Sequence, residues 1–139
     1  MAAPDTVALI QRYYAAFNGG DSEGMLACLS EEVVHDINQG KRRTGKDAFR
    51  DFCRQMERCY AERLENIAIM AISDGTRAAA EFDVLGTYVE TDEGLPPATG
   101  QTYRLAAGAF FEVRDGLISR VTTYYNLADW LAQIVKQKS

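Results

Sequence analysis

The spacing of apolar residues changes along the chain and predicts helices first and strands afterwards. Near the N-terminus, apolar residues recur at steps of three and four, which is typical of one face of an α-helix. This face of the first predicted helix consists of Val7, Ile10, Tyr14 and Phe17. From residue 64 onward the period shortens toward two, which is typical of β-strands. The order of the elements predicts an α+β fold.

Three helices are predicted before the main group of strands and one after it. Pro4 suits the start of the first helix, and residues 18–20 end it with two glycines. Asp21 is a suitable N-cap for a second, short helix that ends near Leu29. A third helix is predicted over residues 46–60 from its apolar face. The closing helix has its apolar side at Leu127, Trp130, Leu131 and Ile134.

A short early strand and a later meander complete the predicted elements. The early strand covers residues 32–37 and is followed by a polar loop over 38–44. The meander consists of strands over residues 64–72, 78–89, 103–113 and 117–125. Asp74-Gly75 and Asp115-Gly116 are predicted to turn the chain between neighbouring strands. A strongly curved sheet of this kind, wrapped around the helices, would leave a cavity between the two layers.

The turn at Asp115-Gly116 predicts which side chains of the last two strands share a face. In a two-residue hairpin loop Arg114 pairs with Leu117, and side chains alternate outward from that pair. The face with a small apolar centre then holds Tyr103, Leu105, Ala107, Ala109, Phe111, Val113, Ile118, Arg120, Thr122, Tyr124 and Asn126. Such a face suits a ligand pocket, although its alanines could instead let a helix pack closely. A β-bulge would move part of this set to the other face.

Composition and charge restrict the kinds of function that fit. The 139 residues suffice for one domain, predicted over 1–139, and the net charge of −5 argues against nucleic acid as a partner. His35 is the only histidine, so a three-histidine metal site is impossible. Carboxylate-only coordination stays open, but no spacing favours it, and neither a metal nor a cofactor is expected. The three cysteines match no zinc or redox motif and are expected to be buried thiols.

Neither a membrane span nor a secretory signal is indicated. The chain has no apolar run of about 18 or more residues, which a membrane-spanning helix would require. Its N-terminus enters a helical pattern without a basic region and an apolar signal core. We therefore expect a cytoplasmic protein without a membrane partner.

Several motifs, taken in order, resemble those of the NTF2-like superfamily, and within it the SnoaL-like polyketide cyclases and ketosteroid isomerases. The motifs are Arg12-Tyr13 followed by Gly20-Asp21, Val34-His35-Asp36, Arg43 to Phe49, Gly94 to Gly100, Asp115 to Ile118, and Tyr124-Tyr125-Asn126. The resemblance implies an NTF2-like cone, in which N-terminal helices pack on a curved, antiparallel or mixed sheet and enclose a pocket. It also implies a homodimer joined through the sheets.

The function that the resemblance implies is proton transfer without a cofactor. The expected enzyme is of the isomerase or cyclase type and acts on a small hydrophobic carbonyl compound. The alternative is a non-catalytic domain of the same fold that binds a small ligand or a partner. The neutral residues at two positions where related enzymes have acids favour this alternative.

The resemblance assigns candidate roles to individual residues. Asp36 falls where the isomerases have a carboxylate base, and Tyr13 falls where they have the tyrosine of the oxyanion hole. His35 is the alternative base, because neighbouring residues in a strand point to opposite faces and only one can enter the pocket. The second oxyanion donor falls near Ala109, which cannot donate a hydrogen bond. Asn126 stands where the cyclases have an aspartate, and an amide can only orient, polarise or cap the last helix.

A further set of residues is expected to contact the ligand. It consists of Phe17, Tyr88, Tyr103, Ala109, Phe111, Tyr124 and Asn126. The tyrosines among them could form an aromatic rim with polar tips, although strands rich in tyrosine also occur at dimer surfaces. Glu81 and Asp83 are expected to point away from the pocket, because Phe82 and Val84 alternate with them.

Overall fold

Four helices form within residues 2–38 and 40–137, which the computed structural model describes. They are α1 (Ala3–Asn18), α2 (Ser22–Ala27), α3 (Lys46–Cys59) and α4 (Leu127–Lys136). Asp21 caps α2 as predicted, because its Oδ1 accepts a hydrogen bond of 2.9 Å from the backbone N–H of Gly24. The predicted apolar face of α3 points inward, with Phe49 and Cys53 buried. The three cysteines are unpaired and buried, which confirms that prediction.

The strands form one six-stranded mixed sheet on which the helices pack. They are β1 (Leu29–Ile37), β2 (Arg43–Thr44), β3 (Tyr60–Ala71), β4 (Arg77–Tyr88), β5 (Thr102–Arg114) and β6 (Leu117–Tyr125), in the spatial order β2-β1-β6-β5-β4-β3. Strand β1 runs parallel to β6, whereas the other neighbouring strands are antiparallel. The predicted α+β architecture with a curved mixed sheet is confirmed.

Several boundaries differ from the prediction, and β1 begins at Leu29 rather than at residue 32. Arg43 and Thr44, expected in a loop, pair with β1 as the short edge strand β2. The third helix ends at Cys59, and β3 begins at the next residue rather than at Leu64. The backbone of Tyr60 is already extended, with φ −134° and ψ 139°. Residues 60–63 therefore belong to the sheet and are positioned by their pairing with β4.

A β-bulge near the last hairpin reverses part of the predicted face. Arg114 pairs with Leu117 and Val113 with Ile118, as predicted, but the register then shifts so that Glu112 pairs with Arg120. Ser119 is the extra residue, and beyond it every side chain of β6 exchanges faces. The prediction that Arg120, Thr122, Tyr124 and Asn126 share the face of Ala107 and Ala109 is therefore wrong. Val121, Thr123 and Tyr125 take the inward positions instead.

The core between α1 and the sheet is built largely from aromatic side chains. Tyr13 and Tyr14 of α1 contact Phe111 with ring centroids 5.9 and 6.0 Å apart, and Tyr14 also contacts Phe82 at 5.2 Å. Burial of a large apolar side chain contributes about 1.5–3 kcal/mol to folding. Leu9, completely covered on the same helix, adds to this face. These contacts hold α1 against β4 and β5.

Candidate functional site

A cavity of about 610 Å³ lies between the helices and the inner face of the sheet. This volume falls in the range of roughly 300–1,000 Å³ that small-molecule sites occupy. Its lining is mainly apolar and includes Phe17, Met25, Phe49, Phe52, Met56 and Trp130. Its polar side chains include two groups, one beside β1 and one beside β3. We call them the aromatic end and the tyrosine end.

The aromatic end consists of His35, Arg43, Phe49 and Phe52. The His35 imidazole is 5% exposed, and its centroid lies 4.5 Å from that of Phe49 and 4.7 Å from that of Phe52. Its Nδ1 is enclosed without a hydrogen-bond partner among the described residues. The pKa of His35 is lowered to about 4, mainly by burial and to a smaller extent by the Arg43 guanidinium, against the opposing effect of Asp36. The imidazole is therefore neutral at pH 7.

Arg43 brings the cation of the aromatic end. It pairs with His35 across β1 and β2, and its Cζ lies 5.5 Å from the centroid of the Phe52 ring. That distance is within the range of a cation–π contact. The guanidinium is positioned to attract negative charge that develops on a bound ligand.

Tyr13 brings a hydrogen-bond donor from α1 to the cavity lining. Its ring is fixed by edge contacts with Tyr14 at 5.2 Å and with Phe111 at 5.9 Å. Burial raises the pKa of the Tyr13 hydroxyl, and the neighbouring Tyr14 and Cys53 raise it further. The hydroxyl thus stays protonated at ordinary pH. The structure brings Tyr13, Phe17 and His35 to one cavity.

Asp36 lies on the opposite face of β1, so the prediction that it enters the pocket is wrong. Arg42 donates to both carboxylate oxygens, with Nε 2.7 Å from Oδ1 and Nη2 3.0 Å from Oδ2. Thr122 donates a further bond of 2.9 Å to Oδ2. The bond with Arg42 is the main cause that lowers the pKa of Asp36, whereas a general base in this role needs a raised pKa. Because side chains alternate along β1, the inward position belongs to His35.

Tyr124 and Asn126 also lie outside the cavity, which corrects two predicted ligand contacts. The bulge turns Tyr124 outward, where its ring packs against the exposed Phe110 at 5.9 Å. Asn126 caps α4, because its Oδ1 accepts a bond of 3.0 Å from the backbone N–H of Asp129. Tyr125, between the two, is the residue that lines the cavity.

Four other predicted ligand contacts support the walls of the cavity without lining it. Ala109 and Phe111 are buried, and Phe111 packs beneath the tyrosines of α1. Tyr88 is completely covered, and its hydroxyl donates to the Pro96 carbonyl at 2.7 Å. Tyr103 is buried and reaches the lining only through its bond with a neighbour. These four side chains therefore lie behind the surface of this cavity.

The tyrosine end consists of Tyr60, Glu62, Asp92 and Tyr125. Asp92 is 8% exposed, and Tyr60 Oη donates to its Oδ2 at 2.7 Å. Gln55 Nε2 donates to the other carboxylate oxygen of Asp92 at 2.6 Å. Burial raises the pKa of Tyr60, and the bond with Asp92 raises it further. Burial likewise raises the pKa of Tyr125, with the charges of Glu62 and Asp92 as smaller causes.

Glu62 is the second carboxyl group of this end, and its hydrogen bonding differs from that of Asp92. Tyr103 Oη donates to Glu62 Oε2, whereas Oε1 makes no hydrogen bond with a described residue. Burial raises the pKa of Glu62, and the bond from Tyr103 opposes that rise. The lining therefore includes a neutral imidazole at the aromatic end and, at the tyrosine end, a half-buried carboxyl group with one oxygen free of hydrogen bonds from the described residues.

The two carboxyl groups of the tyrosine end, Glu62 and Asp92, were not predicted from the sequence. Glu62 fell between the predicted end of a helix and the predicted start of a strand. The alternation of Tyr60, Glu62 and Leu64 was the signal that could have placed it inward. Asp92 lies in an irregular loop, and no periodic signal could have indicated its burial. It is enclosed only because Gln55 and Tyr60 meet it from α3 and β3.

Within residues 2–38 and 40–137, no group of three or more histidine, cysteine or carboxylate side chains is arranged to hold a metal ion. Cys53 lines the cavity, but burial raises its pKa to about 11, so the thiol stays protonated.

No helix within residues 2–38 and 40–137 is long and apolar enough to cross a membrane.

Comparison with known proteins relates most of the chain to one family. The sequence model of the SnoaL-like domain matches residues 10–121. A structure from Pseudomonas putida, named a putative polyketide cyclase, is 59% identical with a TM-score of 0.90, covering 91% of this chain and 95% of that one. Among curated proteins, none matches this chain.

Two further structures are more distant. One from Kribbella flavida, named a putative ketosteroid isomerase, is 26% identical with a TM-score of 0.64, covering 89% of this chain and 79% of that one. One from Burkholderia xenovorans, named an NTF2-like protein, is 16% identical with a TM-score of 0.75, covering 96% of this chain and 98% of that one. At that low identity, the last likeness concerns the fold alone.

Proposed function

The chain belongs to the SnoaL-like domain family, and on this premise we propose that it is an enzyme of the isomerase or cyclase type. It would move a proton, without a cofactor, on a small hydrophobic carbonyl compound. The observation that carries the proposal is His35, a buried and neutral imidazole in the lining of a mainly apolar cavity. The names of the relatives from Pseudomonas putida and Kribbella flavida support the same class of reaction.

The proposed reaction places the substrate carbonyl at the aromatic end. His35 accepts a proton from the carbon next to the carbonyl, the C–H bond breaks, and its electron pair forms an enolate. The Tyr13 hydroxyl donates to the enolate oxygen, and Arg43 attracts its negative charge. Donors that are already in position stabilise such charge strongly in a site from which water is excluded. The proton then returns to another carbon or to the same one.

One observation favours the alternative, a non-catalytic ligand-binding domain. A pKa of about 4 makes the free His35 imidazole a weak base, and a base is most efficient when its pKa lies near the working pH. An enolate beside the imidazole would raise that pKa by stabilising the imidazolium. The two functions thus differ in whether a bound carbonyl compound exchanges its α-protons.

The test is deuterium exchange into 2-tetralone, a small bicyclic ketone with acidic α-protons, followed by proton NMR in D₂O. We expect the wild-type protein to accelerate the exchange above the rate in buffer. His35→Gln should lower the protein-dependent rate by about 100-fold, because an amide cannot accept the proton. Asp36→Asn is the matched control, one residue away on the outer face, and should change the rate less than about twofold.

The outcomes separate the two functions. Binding of 2-tetralone without exchange by the wild type would support the non-catalytic domain. Exchange that survives His35→Gln and disappears in Asp36→Asn would contradict the assignment of His35.

The homodimer and the cytoplasmic location expected from the sequence stay predictions. The outer face of the sheet presents two exposed aromatic side chains, Phe110 and Tyr124, which a second copy of the chain would cover.

A further inference from the structure

A glycine in β4 lets a side chain of β5 lie over β4 and reach β3 at the tyrosine end. Glu62, Gly86 and Tyr103 are directly paired across β3, β4 and β5. A Cβ atom on Gly86 would lie 2.3 Å from Cζ of Tyr103, so the phenol ring occupies the space of a side chain that is absent. Because residue 86 is glycine, the Tyr103 hydroxyl crosses β4 and donates to Oε2 of Glu62.

This arrangement orients the Glu62 carboxyl group but leaves part of its hydrogen-bonding capacity unused. Oε2 is occupied by the Tyr103 hydroxyl, whereas Oε1 has no hydrogen-bond partner among the described residues. The described residues also place no lysine or arginine within ion-pair distance of Glu62. Oε1 is not enclosed by the protein, because Glu62 is half-buried and lines the cavity, so a ligand in the cavity can donate a hydrogen bond to it.

Asp92 does not offer the same opportunity, although it lines the same end. Gln55 and Tyr60 each donate to one of its two carboxylate oxygens. Its backbone N–H donates to the Tyr88 hydroxyl at 2.9 Å. Asp92 therefore closes the wall, and Glu62 is the carboxyl group that faces the cavity with unused hydrogen-bonding capacity.

We propose that Glu62 holds a hydroxyl group of the ligand, with Gly86 and Tyr103 positioning its carboxyl group. A hydroxyl suits this site in either protonation state of Glu62, because it donates to a carboxylate and accepts from a carboxylic acid. Strands β6, β5 and β4 separate β1 from β3 in the sheet, so the hydroxyl and the carbonyl lie at opposite ends of the ligand. The substrate class is thus a carbonyl compound that has an apolar central part and a hydroxyl group at its far end. The placement of the carbonyl group in this inference rests on the proposed function.

The test compares 2-tetralone with 6-hydroxy-2-tetralone, which adds one hydroxyl group far from the carbonyl. Calorimetry should show that the wild type binds the hydroxylated compound about tenfold more tightly, as one buried hydrogen bond to a charged or polar group allows. Glu62→Met should bind the two compounds with about equal affinity, and its affinity for 2-tetralone should stay within about threefold of the wild-type value. The control is Glu65→Met, an exchange on the same strand outside the cavity lining, which should keep the preference.

Glu62→Gln serves as a second variant, because it keeps the shape of the side chain and its bond from Tyr103. It should retain part of the preference, because its amide group can still donate to or accept from the added hydroxyl group. Equal wild-type affinity for the two tetralones, or an unchanged preference in both Glu62 variants, would overturn the inference.

The same measurements keep this inference distinct from the proposed function. A preference that depends on Glu62, together with no α-proton exchange in either tetralone, would refute the proton-transfer reaction and support the hydroxyl site. α-Proton exchange that depends on His35, together with an unchanged preference in the Glu62 variants, would support the proton-transfer reaction and refute the hydroxyl site. If the wild type bound neither compound, both proposals would fail.

Discussion

Each end of the cavity buries an ionisable group, but burial shifts the pKa values of the two groups in opposite directions. At the aromatic end burial lowers the pKa of His35 to about 4, because the charged form of an imidazole is the protonated one. At the tyrosine end burial raises the pKa of Glu62, because the charged form of a carboxyl group is the deprotonated one. Each shift favours the neutral form.

The ends differ in how the ionisable group is held. His35 is fixed by packing between Phe49 and Phe52, and its Nδ1 has no hydrogen-bond partner among the described residues. Glu62 is held by a hydrogen bond from Tyr103 that passes over Gly86. The aromatic end should therefore be most sensitive to protonation, and the tyrosine end to small changes in volume.

The largest expected effect is a loss of stability in acid that depends on His35. A depressed folded-state pKa means that the unfolded chain binds the proton first, so stability is complete above pH 6.5 and falls as pH drops toward 4. Between pH 7 and pH 4 the wild type should lose about 3 kcal/mol relative to His35→Phe. Urea unfolding at several pH values measures this difference. Because His35 is the only histidine, parallel pH curves for the two proteins would contradict the depressed pKa.

A smaller effect is expected from Gly86→Ala at the tyrosine end. The added Cβ would meet the Tyr103 ring at 2.3 Å, so the ring must move, and overpacking of this kind costs about 2 kcal/mol. In a Tyr103→Ala background, the same exchange at position 86 should cost less than about 0.5 kcal/mol. Urea unfolding of the four proteins gives the coupling between the two sites. Equal costs in both backgrounds would show that the glycine is needed for another reason.

The smallest of these effects concerns the helix that covers the tyrosine end. Asn126 caps α4, and Trp130 of α4 packs against Tyr88 at 5.1 Å and Tyr103 at 6.0 Å. Asn126→Ala should lower the free energy of unfolding by about 1 kcal/mol, and Asn126→Ser should recover most of it, because serine also caps helices. Neither exchange should alter the affinity for 2-tetralone measured on folded protein. A marked loss of affinity in both variants would instead place the Asn126 amide in the binding site.

Most of the fold could be predicted because its signals are local. The helical and strand periods of α1, α3 and β4 to β6 follow from which neighbouring side chains must face the same way. The bulge at Ser119 has no such signal, since it depends on how a curved sheet closes. One extra residue was enough to move Tyr124 from the predicted inner face to the outer one.

The candidate site could be predicted only in part for the same reason. Strand alternation showed that either His35 or Asp36 enters the cavity, and pairing with β6 and the position of Arg42 placed Asp36 outside. Glu62 was missed because α3 passes directly into β3 without a loop at Cys59 and Tyr60.

By itself, the sequence determined the order of the elements, the class of fold and the neutral residues Ala109 and Asn126 at two positions where the resemblance implies acids. Periodicity and residue identity are properties of neighbouring residues, so they can be read along the chain. Only the tertiary structure decided that His35 and Glu62 share a cavity and that Asp36 and Asn126 do not. Register, burial and the pairing of charges depend on residues far apart in the chain, and these contacts form only when the sheet has closed around the helices.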